Sequence, residues 1–381
     1  MTSHSATQAS SPPTSARGSP KVVAEYPLPG ASQTHELVSP APGLLLISQQ
    51  TNGCIVKAAL DPATGRPLSA VASVVGSSWS GLHGLSLSTA YPGMVWATVQ
   101  FESALLLLDP VAGDPKAPPR VLRRIPIPAP AAGPHVVIEH GHLLWVSCKD
   151  SGHVVSISHV DPAVSAVYPT SPRPIFVAVH PKSGDVYASL DQSSRIFRLH
   201  AFSGQSTELA IDPALGTTPV GLVAGPDGNV WFVLLGGKSG GTGAFARIEA
   251  DGTVTPFRLR GMLGQSAALI HLAFGEVTGQ GPAPLYLLGS TMGSMMALDA
   301  VHVVTFEPGY DRIAALQTVA MATPMSMTHR VLPMGGSVFV TAMVCALTQL
   351  TPSNSVVDQN SDFFSDFGVG LPSPNVAYTD R

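Results

Sequence analysis

Residues 218–259 read TPVGLVAGPDGNVWFVLLGGKSGGTGAFARIEADGTVTPFRL, and this stretch limits the possible fold more than any other feature of the chain. It consists of four short apolar runs: VGLVA, NVWFVLL, AFARI and TVTPFRL. PDG and ADG turns separate the first and last pairs, and a Gly-rich segment separates the middle pair. Such a pattern describes a four-stranded antiparallel meander of about 42 residues, the size of one propeller blade. It recurs at 81–108, 135–158 and 174–199, and in weaker copies that begin near His35, His271 and His329. The expected fold is therefore all-β, a seven-bladed β-propeller; six blades is the alternative, because 292–320 divides poorly into strands. The last copy runs out of strands after Leu350, whereas 22–28 (VVAEYPL) has no inner strands before it. A ring without free edges results if 22–28 supplies the outer strand of the last blade.

The division that follows is a disordered tail at 1–20, a propeller at 21–353 and an irregular tail at 354–381 that carries Phe363, Phe364 and Phe367. Charge and composition exclude other classes. Twenty basic against twenty-four acidic residues give a net charge of −4, so no electrostatic footprint for nucleic acid or an anionic membrane exists. Charged residues are only 12% of the chain and hydrophobic ones 45%, enough for a large core. No run approaches the ~20 apolar residues of a membrane-spanning helix, and the Ser/Thr/Pro-rich start lacks the apolar segment of a secretory signal. Cys54, Cys148 and Cys345 show no CxxC spacing. A reduced, cytoplasmic compartment and a monomeric protein are expected.

Thirteen histidines supply the most informative pattern. The large residues of the second strands, Leu46, Trp96, Trp145, Tyr187, Trp231, Tyr286 and Phe339, serve as anchors. Ten to fifteen residues before them, where the innermost strand begins, stand His35, His83, His135, Ile175, Val220, His271 and His329. Equivalent positions of a propeller converge on one end of the axis, so these imidazoles are expected to meet at the channel mouth. Histidine suits acid/base chemistry and transition-metal ligation there. The competing reading is structural, each ring bonding the backbone of the adjacent blade. His83, His135, His271 and His329, with Lys149, form the candidate catalytic set. His35, Gln49, Gln100, Asp191 and Trp145 form the candidate substrate-binding set; all but His35 and Trp145 lie where a second strand leaves toward its loop. A Met-rich run (Met292, Met295, Met296, then Met321, Met325, Met327) reads as soft core lining or an apolar binding surface. GGKSGGT at 236–242 opens no helix, so a flexible inter-strand loop is expected in place of a phosphate loop.

The units GPDGNVWF (225–232), EYPLP (25–29) and IPIPAPAAGPHVV (125–137) resemble the blade repeat of the virginiamycin B lyases, also called streptogramin B lyases. The resemblance implies a seven-bladed propeller and a magnesium-dependent elimination that opens the ester bond of a cyclic depsipeptide without adding water. It also implies a glutamate two residues before a late-blade histidine. Before His271 and His329 those positions hold Leu269 and Met327, and the glutamate that ends the family's WFTE unit is replaced by Leu234 and Ala342. The function expected is a lyase- or isomerase-like enzyme acting on a small apolar metabolite, such as a cyclic ester or lactone, at the channel mouth. The alternative is a non-catalytic binding propeller of the NHL type.

Overall fold

The structure is a computed structural model, and it describes residues 20–352 apart from 237–239, 278, 280 and 345. The expected N- and C-terminal tails, Cys345 and the centre of the 236–242 loop lie outside the described residues.

The described residues form seven four-stranded antiparallel sheets, each running outward from an inner strand. Blades 1 to 6 cover 34–74, 82–126, 134–169, 174–210, 219–258 and 269–320. Blade 7 takes three strands from 328–352, and its outer strand is Pro20–Pro27. That strand runs antiparallel to Ala346–Pro352, from Pro20 opposite Pro352 to Pro27 opposite Ala346. The chain thereby closes the ring with its own beginning, as the missing fourth strand required, and the sheet edge of blade 7 is covered. Tyr26 and Leu28 fix the closure by packing with Phe339 and Leu347.

One device recurs at the axis. In every blade the inner strand carries an extra residue near its start, which shifts the pairing with the second strand. Such a bulge bends the strand and redirects a side chain. A hydroxyl on the second strand then anchors the bulge. Ser147 Oγ accepts the Val136 N–H at 3.1 Å and donates to the Ile175 carbonyl of blade 4 at 2.7 Å. Ser48, Thr98 and Ser189 make the same bridge from blades 1, 2 and 4 to the bulge carbonyls of His83, His135 and Val220. Thr341 reaches the His35 carbonyl at 2.6 Å and so ties blade 7 to blade 1. Blades 5 and 6 have Val233 and Leu288 at this place and cannot make the bridge.

Inner strands must approach closely for this to work. A Cβ at Gly84 would lie 2.5 Å from the His135 carbonyl oxygen, and one at Gly221 would lie 2.9 Å from the His271 Cα. Between blades 5 and 6, Trp231 packs with Phe245, Phe257, Phe274, Phe306 and Tyr310, and the Arg247 guanidinium lies 5.6 Å over its ring. No helix among the described residues is long and apolar enough to cross a membrane.

Candidate functional site

The bulge decides which side chains meet at the axis. Residues 35, 83, 135 and 329 are the extra residues of blades 1, 2, 3 and 7, which are neighbours around the ring. In blades 4, 5 and 6 the same position holds Ile175, Val220 and Ile270. His271 therefore stands one residue beyond the register expected for it, since Leu269 faces Gly289 and His271 faces Leu288. Its equivalents are Glu36, Phe176 and Arg330. Counting back from Tyr286 misplaced it because the hairpin between the first two strands varies in length from blade to blade.

Four imidazoles thus form one tier. The His35 ring centroid lies 4.4 Å from that of His83 and 4.3 Å from that of His329, and His83 lies 3.9 Å from His135. Ring nitrogens of His35, His83 and His329 all fall within 4.8 Å of one another. Below them lies a second layer. Arg330, 1% exposed, reaches from blade 7 across the axis to place its guanidinium 4.5 Å from the centroid of Phe176 in blade 4. His271 approaches the same ring at 5.6 Å. Arg330 Nε donates to Glu36 at 2.7 Å, and Nη1 donates to the His329 carbonyl, which Leu288 leaves without a hydroxyl. Nη2 is buried with no partner, as are His83 Nδ1 and His329 Nδ1.

Hydrogen bonds set the tautomers. A carbonyl oxygen only accepts, so His35 Nδ1, 2.7 Å from the Gln33 carbonyl, carries its proton and leaves Nε2 bare. His135 does likewise through Ile175 at 3.0 Å. His271 is the reverse: its Nδ1 accepts the Val331 N–H at 3.3 Å, so its proton sits on Nε2. All five rings are neutral near pH 7. Burial pushes His35 down to about 4, with smaller contributions from the positive charges of Arg330 and Lys149. Burial also holds His83, His135, His271 and His329 well below the usual histidine range, and the charge of Arg330 acts in the same direction on each.

Antiparallel connectivity puts the starts of the inner strands, the outer-to-inner loops and the hairpins between second and third strands on one face, the entrance above the tier. Polar side chains line it on blades 1 to 4. Gln50 donates to Gln100 at 3.1 Å, Gln100 donates to Asp150 at 3.1 Å, and Asp191 pairs with Arg173 at 3.0 Å. Gln49 accepts from Thr34 at 3.0 Å. Half-buried Lys149 has its ammonium acidity raised by burial and by Arg173, against Asp191 and Asp150. Trp145 stands apart, stacked on Tyr168 within a blade interface. Beyond the polar chain the entrance exposes Trp79, Phe101, Met262, Met295, Met296 and Met325, Trp79 by 76% and Met296 by 87%. The Met-rich run thus lies in large part on the surface. An open groove lined by Ile211, Leu215, Phe257 and Arg258 lies at the outer rim between blades 4 and 5, and none of the histidines lines it.

Sequence reasoning passed over Arg330, Glu36 and Phe176. The signal was present as two charged residues directly following histidines, HE at 35–36 and HR at 329–330, in strands otherwise apolar. Magnesium, which the resemblance implies, does not fit this site. It prefers oxygen ligands in octahedral array, whereas the tier offers imidazole nitrogen and its adjoining carboxylate, Glu36, is held by Arg330.

No protein-family model matches the chain, and no curated protein matches it. Solved structures do resemble it. Virginiamycin B lyase from Staphylococcus aureus aligns at a TM-score of 0.65 and 17% identity, over 86% of this chain and 98% of that one. A catalytically inactive variant of that lyase with quinupristin gives 0.66 and 16% over the same shares. Hydrazine synthase from Kuenenia stuttgartiensis gives 0.60 and 15%, over 87% of this chain and 98% of that one. At these identities the likeness is one of architecture, and it agrees with the resemblance read from the blade repeats: the chain is a seven-bladed propeller built like the virginiamycin B lyases.

Proposed function

We propose that the protein is a small-molecule lyase that breaks a C–O bond of an apolar cyclic ester or lactone at the histidine tier. The observation that carries this reading is the pairing of opposite tautomers around a buried guanidinium. His135 presents a bare Nε2, His271 presents an Nε2–H, and the buried Nη2 of Arg330 has no hydrogen-bond partner. In the proposed step His135 takes the proton from the carbon next to a carbonyl. A C=C bond forms as the ester C–O bond breaks, and the electron pair leaves on the carboxylate. Arg330 receives that carboxylate, and His271 donates to the enolate oxygen that develops before it. His135 then returns its proton to solvent. Neutral imidazoles suit the work because the base needs its lone pair free at neutral pH. The exposed aromatic and methionine side chains of the entrance favour an apolar ligand. We assign the chain to the cytoplasm, in keeping with free Cys54 and Cys148, and to action as a monomer.

The same exposed side chains favour a second reading, a binding propeller that uses this face for a protein partner. Incubation with a panel of macrocyclic esters and lactones, read by mass spectrometry, separates the two. Elimination in a ring leaves a product of unchanged mass, whereas hydrolysis adds one water. His135→Ala and His271→Ala should each lower turnover by ~10²–10⁴. Unchanged turnover in both variants, or products heavier by a water, would overturn the reading.

A further inference from the structure

We infer that His35, His83 and His329 form a binding site for one divalent first-row transition-metal ion. This goes beyond the catalytic reading and does not depend on it. Three observations carry the inference. The first is geometry: one nitrogen from each of the three rings lies within 4.8 Å of the others, so side-chain rotations that draw the rings together by no more than about 1.4 Å reach the roughly 3.4 Å between ligands of a tetrahedral zinc site with ~2.0–2.1 Å bonds. All three rings sit on bulges of adjacent blades whose backbones are bridged from Thr341 and Ser48, so the ligands are held by the fold before any ion arrives.

The second is the condition of the nitrogens. His83 Nδ1 and His329 Nδ1 are buried without a partner. An orphaned polar atom costs ~1–3 kcal/mol, and an ion would supply what is missing. The third is the outer support. His35 donates Nδ1–H to a backbone carbonyl, which fixes the ring and leaves Nε2 free; metal-bound histidines are held in the same way. Of the two cations that act on the tier, Arg330 is paired with Glu36 at 2.7 Å and Lys149 is faced by Asp150 and Asp191. An all-imidazole donor set selects zinc, iron, cobalt, nickel or copper over magnesium or calcium.

The test uses the full-length chain, stripped with a chelator and titrated with Co2+, whose visible absorption reports nitrogen coordination. The expected result is one Co2+ per chain, displaced by Zn2+ and left in place by millimolar Mg2+. His35→Gln, His83→Gln and His329→Gln should each weaken binding by roughly 10–100-fold or more, while His302→Gln changes it less than about threefold. Should a variant fail to fold, X-ray absorption of the zinc-loaded wild type decides: a shell of at least three imidazole nitrogens supports the site, and an oxygen shell overturns it. Saturable binding that survives all three substitutions, competition by Mg2+, or no stoichiometric binding to the stripped wild type would each overturn it.

Discussion

Neutralising Glu36 should be among the most damaging single changes in the chain. Arg330 is 1% exposed, and Glu36 Oε2 accepts from its Nε at 2.7 Å. With charge centres about 4 Å apart and an effective dielectric constant near 20, the attraction is about 4 kcal/mol. Glu36→Gln removes it, leaving the guanidinium with the His329 carbonyl and the face of Phe176 as its partners. Breaking a buried pair from one side costs about 3–5 kcal/mol, a large fraction of the about 5–15 kcal/mol that holds a typical domain folded. Arg330→Met strands the carboxylate instead. The double variant strands neither, and should lie within about 1–2 kcal/mol of wild type. Guanidinium denaturation at pH 7 on all four proteins gives the coupling directly. For comparison, the Arg173–Asp191 pair is exposed on its arginine side and should yield no more than about 1 kcal/mol. Two single effects that simply add in the double variant, or a Glu36→Gln loss below about 0.5 kcal/mol, would refute the reasoning.

Ser189→Ala leaves both the Phe176 N–H and the Val220 carbonyl without the bridge, whereas after Ser147→Ala the Ile175 carbonyl keeps His135 Nδ1–H. Chemical denaturation should find Ser189→Ala costlier by ~1–3 kcal/mol; equal losses would argue against the bridge. His302 tests acid stability: burial lowers it to about 4, so its contribution is present above the unfolded value near 6.5 and is lost as pH falls toward 4. The stability gap between wild type and His302→Leu should shift by about 2–3 kcal/mol against wild type between pH 7 and 4.5, and a gap independent of pH would contradict a neutral buried ring. Deleting residues 1–29 uncovers the edge of Ala346–Pro352 and should cause concentration-dependent aggregation that a peptide spanning 20–29 suppresses. Monodisperse behaviour of the truncated chain in light scattering would show that the ring closes some other way.

The fold was legible because it is repeated. Each blade restates the same alternation and turn chemistry, so one well-formed copy at 218–259 identified the weaker ones, and the missing strand after Leu350 pointed to its replacement at the start of the chain. The candidate site was legible only in part. Position near the start of each inner strand, ahead of an anchor, brought His35, His83, His135 and His329 to one tier, but a hairpin of variable length hid the one-residue offset of His271. Trp145 was drawn in by its size, which in a buried strand reflects packing against Tyr168 as readily as ligand binding. Arg330 could not be placed from sequence, because a side chain that crosses the axis to Phe176 joins positions far apart in the chain.

The bulge tier has a consequence for recognition. A propeller is nearly rotationally symmetric, and a small molecule descending its axis would ordinarily find seven almost equivalent orientations. Here the tier divides into an arc of imidazoles on blades 7, 1, 2 and 3 and an arc of branched aliphatic residues, Ile175, Val220 and Ile270, on blades 4, 5 and 6. A molecule with one polar and one apolar flank therefore has a single favoured azimuth. Under the proposed elimination, the molecule's own polarity then fixes which of its hydrogens faces the bare nitrogen of His135, and the stereochemistry is decided before chemistry begins.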